Sequence, residues 1–414
     1  MIKKLINKSQ FNILFFLLIS AIPIFAQQGS NYSMFGLGDF NNSVTSAYEG
    51  MGGTCIAMFD RNSINILNPA LWTQVTTTRL QTGYRFNQHF VSDANSNKLQ
   101  NNGTISLTSA VFMIDTTWKI AASIGIYPQT RINYFVKNYF SINNDETVSS
   151  GQIEYQGQGG LSNLYIGFAS RVYGPIFAGA TIFGNFGSAY YSNKVEYYDA
   201  YNYNTYYQKK DNFSSLGYKF GLYSELPNNF SIGAYYEFNN SIDVEREQSY
   251  GSDLVSDTST YSSFSINAPK KYGIGLGYRT GKFQFGGDFN YLIISDLNYN
   301  SSSQMKFKNS YSVSFGGERL GNVSRNAEYL DRITYKAGIG YSNLYYQVFG
   351  QDINEYKFTI GGAFPISNTG LLDATLVFGL RGTNSNGLVQ DKFIRMIIDI
   401  SVGEIWFNPF KREY

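Results

Sequence analysis

The sequence predicts an all-β fold: a transmembrane outer-membrane antiparallel β-barrel of about fourteen strands, with an N-terminal plug in its lumen. Three observations predict it. Charged and polar residues alternate with aromatic and aliphatic ones over most of the chain, as at Phe283-Gln-Phe-Gly-Gly-Asp-Phe-Asn-Tyr291. That period of two marks strands with one dry and one wet face. The 414 residues hold 35 Tyr, 33 Phe and 41 Gly, with only 15% charged, a composition suited to lipid-facing strands and interfacial girdles. The chain also opens with an export signal.

Residues 1–26 read as that signal peptide: Lys3, Lys4 and Lys8 precede an apolar run from Phe11 to Ile24, and Ala26 offers a small residue for cleavage. Its removal takes away three lysines, which leaves 29 basic residues against 30 acidic ones. Nucleic-acid binding therefore has no electrostatic support. The single cysteine, Cys55, excludes an intrachain disulfide and a cysteine-rich metal cage. The reading contains no metal, no cofactor and no enzyme.

Residues 27–75 lack sustained alternation. Gly36, Gly38, Gly50, Gly52 and Gly53 precede Ile64-Asn-Ile-Leu-Asn-Pro-Ala-Leu-Trp72, which suggests a compact segment. The three glycines at 50–53 lack the preceding strand and following Lys-Ser/Thr of a phosphate cradle, so close backbone packing explains them. Met51, Met58, Phe59, Ile66 and Leu67 form either a small core or the lining of a ligand pocket.

Residues 76–414 supply the barrel, from a first strand near 77–89 through one at 117–135 and one at 330–341 to a last near 391–404. Short turns at Thr116, Tyr173-Gly174, Leu226-Pro227, Gly281 and Ser367-Asn368 alternate with long connections over 90–102, 136–157, 192–211, 242–265 and 297–305. Tight periplasmic turns and long external loops give that asymmetry, with 318–329 as the exception. An Arg facing lipid at mid-bilayer costs about 2–4 kcal/mol. The register that avoids this cost turns Arg79, Arg85, Arg279, Arg395, Glu237, Asp288 and Asp399 into the lumen. Trp72, Trp118 and Trp406 fall at the expected periplasmic rim as a girdle, and His89 reads as a solvated histidine near an outer loop. The eight tyrosines of 190–207 read as a girdle running into a wet loop. Fourteen strands enclose a lumen too wide for side chains alone to fill, and 27–75 is the segment available to stopper it.

Tyr48-Glu-Gly-Met-Gly-Gly53 followed by Asn68-Pro69-Ala70, just ahead of the first strand, resembles the FadL-type long-chain fatty-acid transporters. The strand end at Ile126-Tyr-Pro128, the run Gly157 to Leu161 and the closing Gly403-Glu-Ile-Trp-Phe407 add to the resemblance. It implies a hatch carrying the Asn-Pro-Ala motif, uptake of hydrophobic or amphipathic small molecules, and a lateral exit through the wall. The implied surroundings are outer-membrane lipid and a diderm bacterium, with the barrel as a monomer. A barrel that grips an exported protein for secretion or surface attachment is the alternative.

Overall fold

The computed structural model describes residues 29–404 except 42–44, 94–96, 145–146, 200, 256–257, 302, 323, 325, 368 and 386. The signal-peptide reading and Trp406 fall outside these residues. Fourteen antiparallel strands close a barrel. They are β1 (Thr78–Ser92), β2 (Asn97–Asp115), β3 (Ile120–Pro128 and Thr130–Asn144), β4 (Thr147–Tyr173), β5 (Ile176–Tyr197), β6 (Thr205–Glu225) and β7 (Phe230–Asn239 and Ile242–Ser252). They continue as β8 (Thr258–Ile266 and Lys270–Thr280), β9 (Phe283–Ile293), β10 (Met305–Phe307 and Ser310–Arg319), β11 (Thr334–Val348), β12 (Gln351–Pro365), β13 (Gly370–Gly382) and β14 (Gln390–Glu404). Closure is direct: β14 runs antiparallel to β1, from Gln390 opposite Ser92 to Glu404 opposite Thr78. Every strand thus has a partner on each side, which is how a barrel removes the unpaired edges that hydrocarbon would not tolerate.

The alternation is realised in space. On β9, Phe283, Phe285 and Phe289 are exposed on the outer face, while Gln284 and Asp288 are buried inside. On β8, Tyr272, Ile274, Leu276 and Tyr278 point out. Among the described residues no helix is long and apolar enough to cross a membrane; the strands do so.

Three expectations are corrected. The stretches 136–157, 192–211 and 242–265, expected as loops, are largely strand: β3 runs to Asn144, β4 starts at Thr147, β5 reaches Tyr197, and Ile242–Ser252 pairs with both β6 and Thr258–Ile266. These extensions are dominated by polar residues; Val136, Tyr155, Ile242 and Val244 turn inward against one interior cluster, but too few apolar residues recur to mark a sustained period. The strand expected over 330–341 starts only at Thr334, because Tyr329–Arg332 forms a helical turn. The strand expected over 117–135 is broken at Gln129, between Ile120–Pro128 and Thr130–Asn144.

Within residues 29–75, Ser46–Glu49 forms a one-turn helix, and Asn31–Met34 and Pro69–Gln74 form 3-10 helices. Asn68 caps the last by accepting from the Ala70 amide (3.1 Å). Inside the segment, Asn65 accepts from the amides of Leu67 (3.0 Å) and Asn68 (2.8 Å) and donates to the Cys55 carbonyl (2.7 Å).

Candidate functional site

The inner face of the wall presents a row of small residues to the N-terminal segment. Ser231, Gly277, Gly286, Gly316 and Gly338 are cross-strand neighbours on β7 to β11, and Thr359 of β12 continues the row. The backbone of residues 50–58 lies along it. A Cβ added at Gly316 would sit 2.1 Å from the Met51 carbonyl oxygen, and one at Gly338 would sit 2.3 Å from the Gly52 nitrogen. Close backbone approach, not turn geometry, demands glycine there. Thr359 completes the contact by accepting from the Gly52 amide (2.9 Å) and donating to the Gly50 carbonyl (3.0 Å).

Inward carboxylates hold the same segment by its amides. Asp288 accepts from Cys55 (2.6 Å) and Ile56 (2.9 Å); Asp399 accepts from Ser46 (2.7 Å) and from the Gln81 side chain (3.0 Å). Asn68 donates to Ile56 O (2.8 Å) within the segment and to Leu222 O (3.0 Å) of β6. Pro69 follows as the first residue of the 3-10 helix, and Ala70 is fully buried. Gly53 donates back to the Tyr48 carbonyl.

Glu49 sits among three cations: Lys357 at 3.4 Å, Arg85 at 3.5 Å and Arg395 at 3.9 Å. Burial alone would push its carboxyl up, but these cations outweigh burial and hold it below the ordinary range. Lys336 joins Asp60 of the segment (2.9 Å) to Asp373 (3.1 Å). Arg79 bonds Ser401 and Asn62, and Glu237 pairs with Lys219 (2.9 Å) and Lys271 (3.6 Å). Arg279 is half-buried near the periplasmic end of β8. Glu49, Asp60, Lys336 and Lys357 escaped the sequence reading. The last two lie on the inward face of alternating strands, so period-two phase was the signal that could have found them.

Met51, Met58 and Leu67 pack with Tyr48, Cys55, Ile56 and Tyr235 in one small cluster, while Phe59 packs with Tyr223 and Ile66 against the Trp72 cluster. None of the five lines a cavity described below. Trp72 is no rim residue. It is 1% exposed, stacks on Tyr165 with ring centroids 5.9 Å apart, and donates its Nε1 hydrogen to Asn65 O (2.6 Å). Trp118 is exposed. His89 is buried, 3.0 Å from Asp391 of β14, instead of solvated. Within 190–207, Tyr191 is buried under Lys209, whose Nζ lies 4.1 Å from the ring centroid, so that tyrosine belongs to the interior.

The break at Gln129 opens the wall. β2 pairs with β3 only from Thr108–Ile126 downward. Above that level the β3 edge is taken by the N-terminal segment. Asp39 and Phe40 pair with Arg131 and Thr130, Asn41 donates to Gln129 O (3.0 Å) and Pro128 O (2.9 Å), and Gly29 donates to Asn133 O (3.1 Å). Side chains span the remaining gap to β2: Arg131 donates to Gly103 O (3.1 Å) and Gln100 to Phe135 O (3.4 Å). Neighbouring strands bend with the break at Gly159 (φ 119°), Gly160 (φ 133°) and Gly187 (φ 154°). A Cβ at Gly159 would lie 2.0 Å from Ser188 O, so the bend excludes larger residues.

Three cavities meet at this place, and a fourth lies beyond them. One of about 780 Å³ opens at the gap between Tyr84, Ile105 and Ile126 on its outer side and Asn102, Arg131 and Asn133 on its inner side. A small one of about 40 Å³ lies behind it, against Gly29, Asn41 and Arg131, and shares Asp39, Asn41, Arg85 and Arg395 with a charged lumenal cavity of about 100 Å³. A cavity of about 660 Å³ at the external end is walled by Tyr32, Phe35, Tyr134, Tyr155, Tyr191 and Met305, among others.

A closed fourteen-stranded antiparallel barrel with an apolar exterior is the architecture of an outer-membrane β-barrel protein. The toluene transporter TodX of P. putida shares it at 13% identity and a TM-score of 0.62, over 88% of this chain and 100% of that one. The toluene transporter TbuX of Ralstonia pickettii shares it at 13% and 0.59, over 90% and 99%. A FadL homologue of Pseudomonas aeruginosa does so at 12% and 0.62, over 89% and 99%. These likenesses establish the FadL-type fold. No curated protein sequence matches the chain. The chain belongs to the BamG family, whose model matches residues 1–413, so its membership lies apart from the FadL family whose fold it shares.

Proposed function

We propose that the protein is an outer-membrane channel for passive uptake of hydrophobic or amphipathic small molecules, with residues 29–75 as a hatch that gates it. The observation that carries the reading is the β3 break, where the wall's missing strand pairing is supplied by Gly29, Asp39, Phe40 and Asn41. A segment that borrows strand edges can release them without unfolding the barrel. A solute caught in the external aromatic cavity would pass the hatch and leave sideways at the gap, where Tyr84, Ile105 and Ile126 border the bilayer. Lateral exit suits apolar cargo because it avoids an aqueous lumen. The channels of shared fold named for toluene support the cargo class.

Phe40 and Thr130 lie directly opposite in an antiparallel pair, where Cα atoms are about 4.5–5.5 Å apart and a disulfide fits. In proteoliposomes, oxidised Phe40→Cys/Thr130→Cys protein should lose uptake of radiolabelled toluene and regain it on reduction. Uptake equal in both redox states would overturn the gating role.

A further inference from the structure

The outer wall carries a groove that belongs to none of the cavities on the proposed path. Phe315, Ile339, Phe358, Phe378 and Ile394 are cross-strand neighbours that form one transverse row over β10 to β14. Two residues further toward the external end, Val313, Tyr341, Tyr356, Leu380 and Lys392 form a second row. A cavity of about 840 Å³ is lined by both rows, and Phe90 of β1 closes it beside Lys392. Its lining is apolar apart from the tyrosine hydroxyls and the two lysines, and Lys357 is drawn inward to Glu49. Lys392 is exposed on the lipid side of the wall, and no ion pair ties it to a described residue.

Tyr341 and Tyr356 lean together with ring centroids 5.2 Å apart. Outward tyrosines of this kind mark the level where hydrocarbon gives way to headgroups. Lys392 lies two residues from Gln390, where β14 meets the external end, so its ammonium stands at headgroup level with the apolar groove directly below. A bare lysine at that position is matched by an anion, and the groove beneath is matched by a chain. Both demands are met by one molecule.

We propose that this face binds a phosphate-bearing lipid of the outer leaflet, with an acyl chain in the groove and its phosphate on Lys392. The proposal rests on the membrane setting of the barrel but not on transport, so uptake assays and lipid retention fail independently. The test incorporates the full-length protein into nanodiscs containing either dioleoyl phosphatidic acid or dioleoylglycerol, then counts retained lipid by native mass spectrometry after transfer to detergent. Wild type should retain phosphatidic acid over dioleoylglycerol, and Lys392→Gln should retain it about fivefold less. Ile339→Trp, which fills the groove without touching charge, should also release it. Lys270→Gln removes another outward lysine outside the groove and should change nothing. Equal retention of the two lipids would overturn the proposal. So would an unchanged Lys392→Gln, a Lys270→Gln loss of the same size, or displacement of the lipid by millimolar inorganic phosphate.

Discussion

Two arcs of the same wall treat the N-terminal segment differently. Along β7 to β12 the wall is continuous, and the segment lies against it on a glycine row with its amides on Asp288 and Thr359. Along β2 to β4 the wall is incomplete, and the segment replaces a strand neighbour at Gln129 to Asn133. In the first arc steric fit and charge-assisted bonds anchor it; in the second it lends hydrogen bonds that a wall would ordinarily make for itself. The contrast teaches that one segment can be fixed on one side and exchangeable on the other, because backbone pairs of a few residues are individually weak while a buried carboxylate on two amides is not.

The heaviest way to break the comparison is to remove the segment. Deletion of residues 29–75 should leave a barrel that still inserts but conducts small hydrophilic solutes, measured as faster liposome swelling than wild type. Next, Gly316→Val should clash with the Met51 carbonyl and cost about 1–3 kcal/mol as overpacking does. Urea unfolding of the detergent-solubilised protein would show a lowered midpoint. Asp288→Ala should cost a similar amount, about 1.5–3 kcal/mol, by stranding the Cys55 and Ile56 amides; limited proteolysis between residues 50 and 60 should speed up.

Glu49 gives a pH test. Its carboxyl is held below the ordinary value, so the stability it adds is present above about pH 4.3, the unfolded value, and is lost as pH falls through the lower folded one. Acid titration should therefore loosen the segment below about pH 4, and Glu49→Gln should flatten that dependence as read by hydrogen exchange of the Gly50 and Gly52 amides. Asn68→Ala is the mildest change. It removes a cap and the bond to Leu222 O, at about 1–2 kcal/mol. Slower uptake with unaltered barrel assembly would separate a positioning role from a structural one.

The membrane-level strands were legible because lipid outside and polar groups inside impose a period of two, as at Phe283–Tyr291. The external extensions were not: in Ile242–Ser252 only Ile242 and Val244 are buried, an alternation too short to set a phase for the polar residues that follow. Asn68-Pro-Ala70 stood out as a motif, but the reason for it, an amide reaching Leu222 O across 154 positions, is tertiary. His89 misled for the same reason: its partner Asp391 is 302 residues away. The β3 break did leave a local trace. Pro128 cannot donate to a ladder, and the neighbouring Gly159-Gly160 and Gly187 read as bends once placed side by side. Trp72 was misassigned because its distance from the first strand suggested a rim, whereas the segment turns back and carries it inside.

The bond from the Ser46 amide to Asp399 joins the start of the chain to its final strand, and Gln81 of the first barrel strand bonds the same carboxylate. These meet at the seam where β14 and β1 zip together. A chain inserted from one end to the other cannot form them until its last strand arrives. Of the contacts that seat the amino-terminal stretch, the one that joins Ser46, Gln81 and Asp399 is thus a clasp that only a completed circle can fasten.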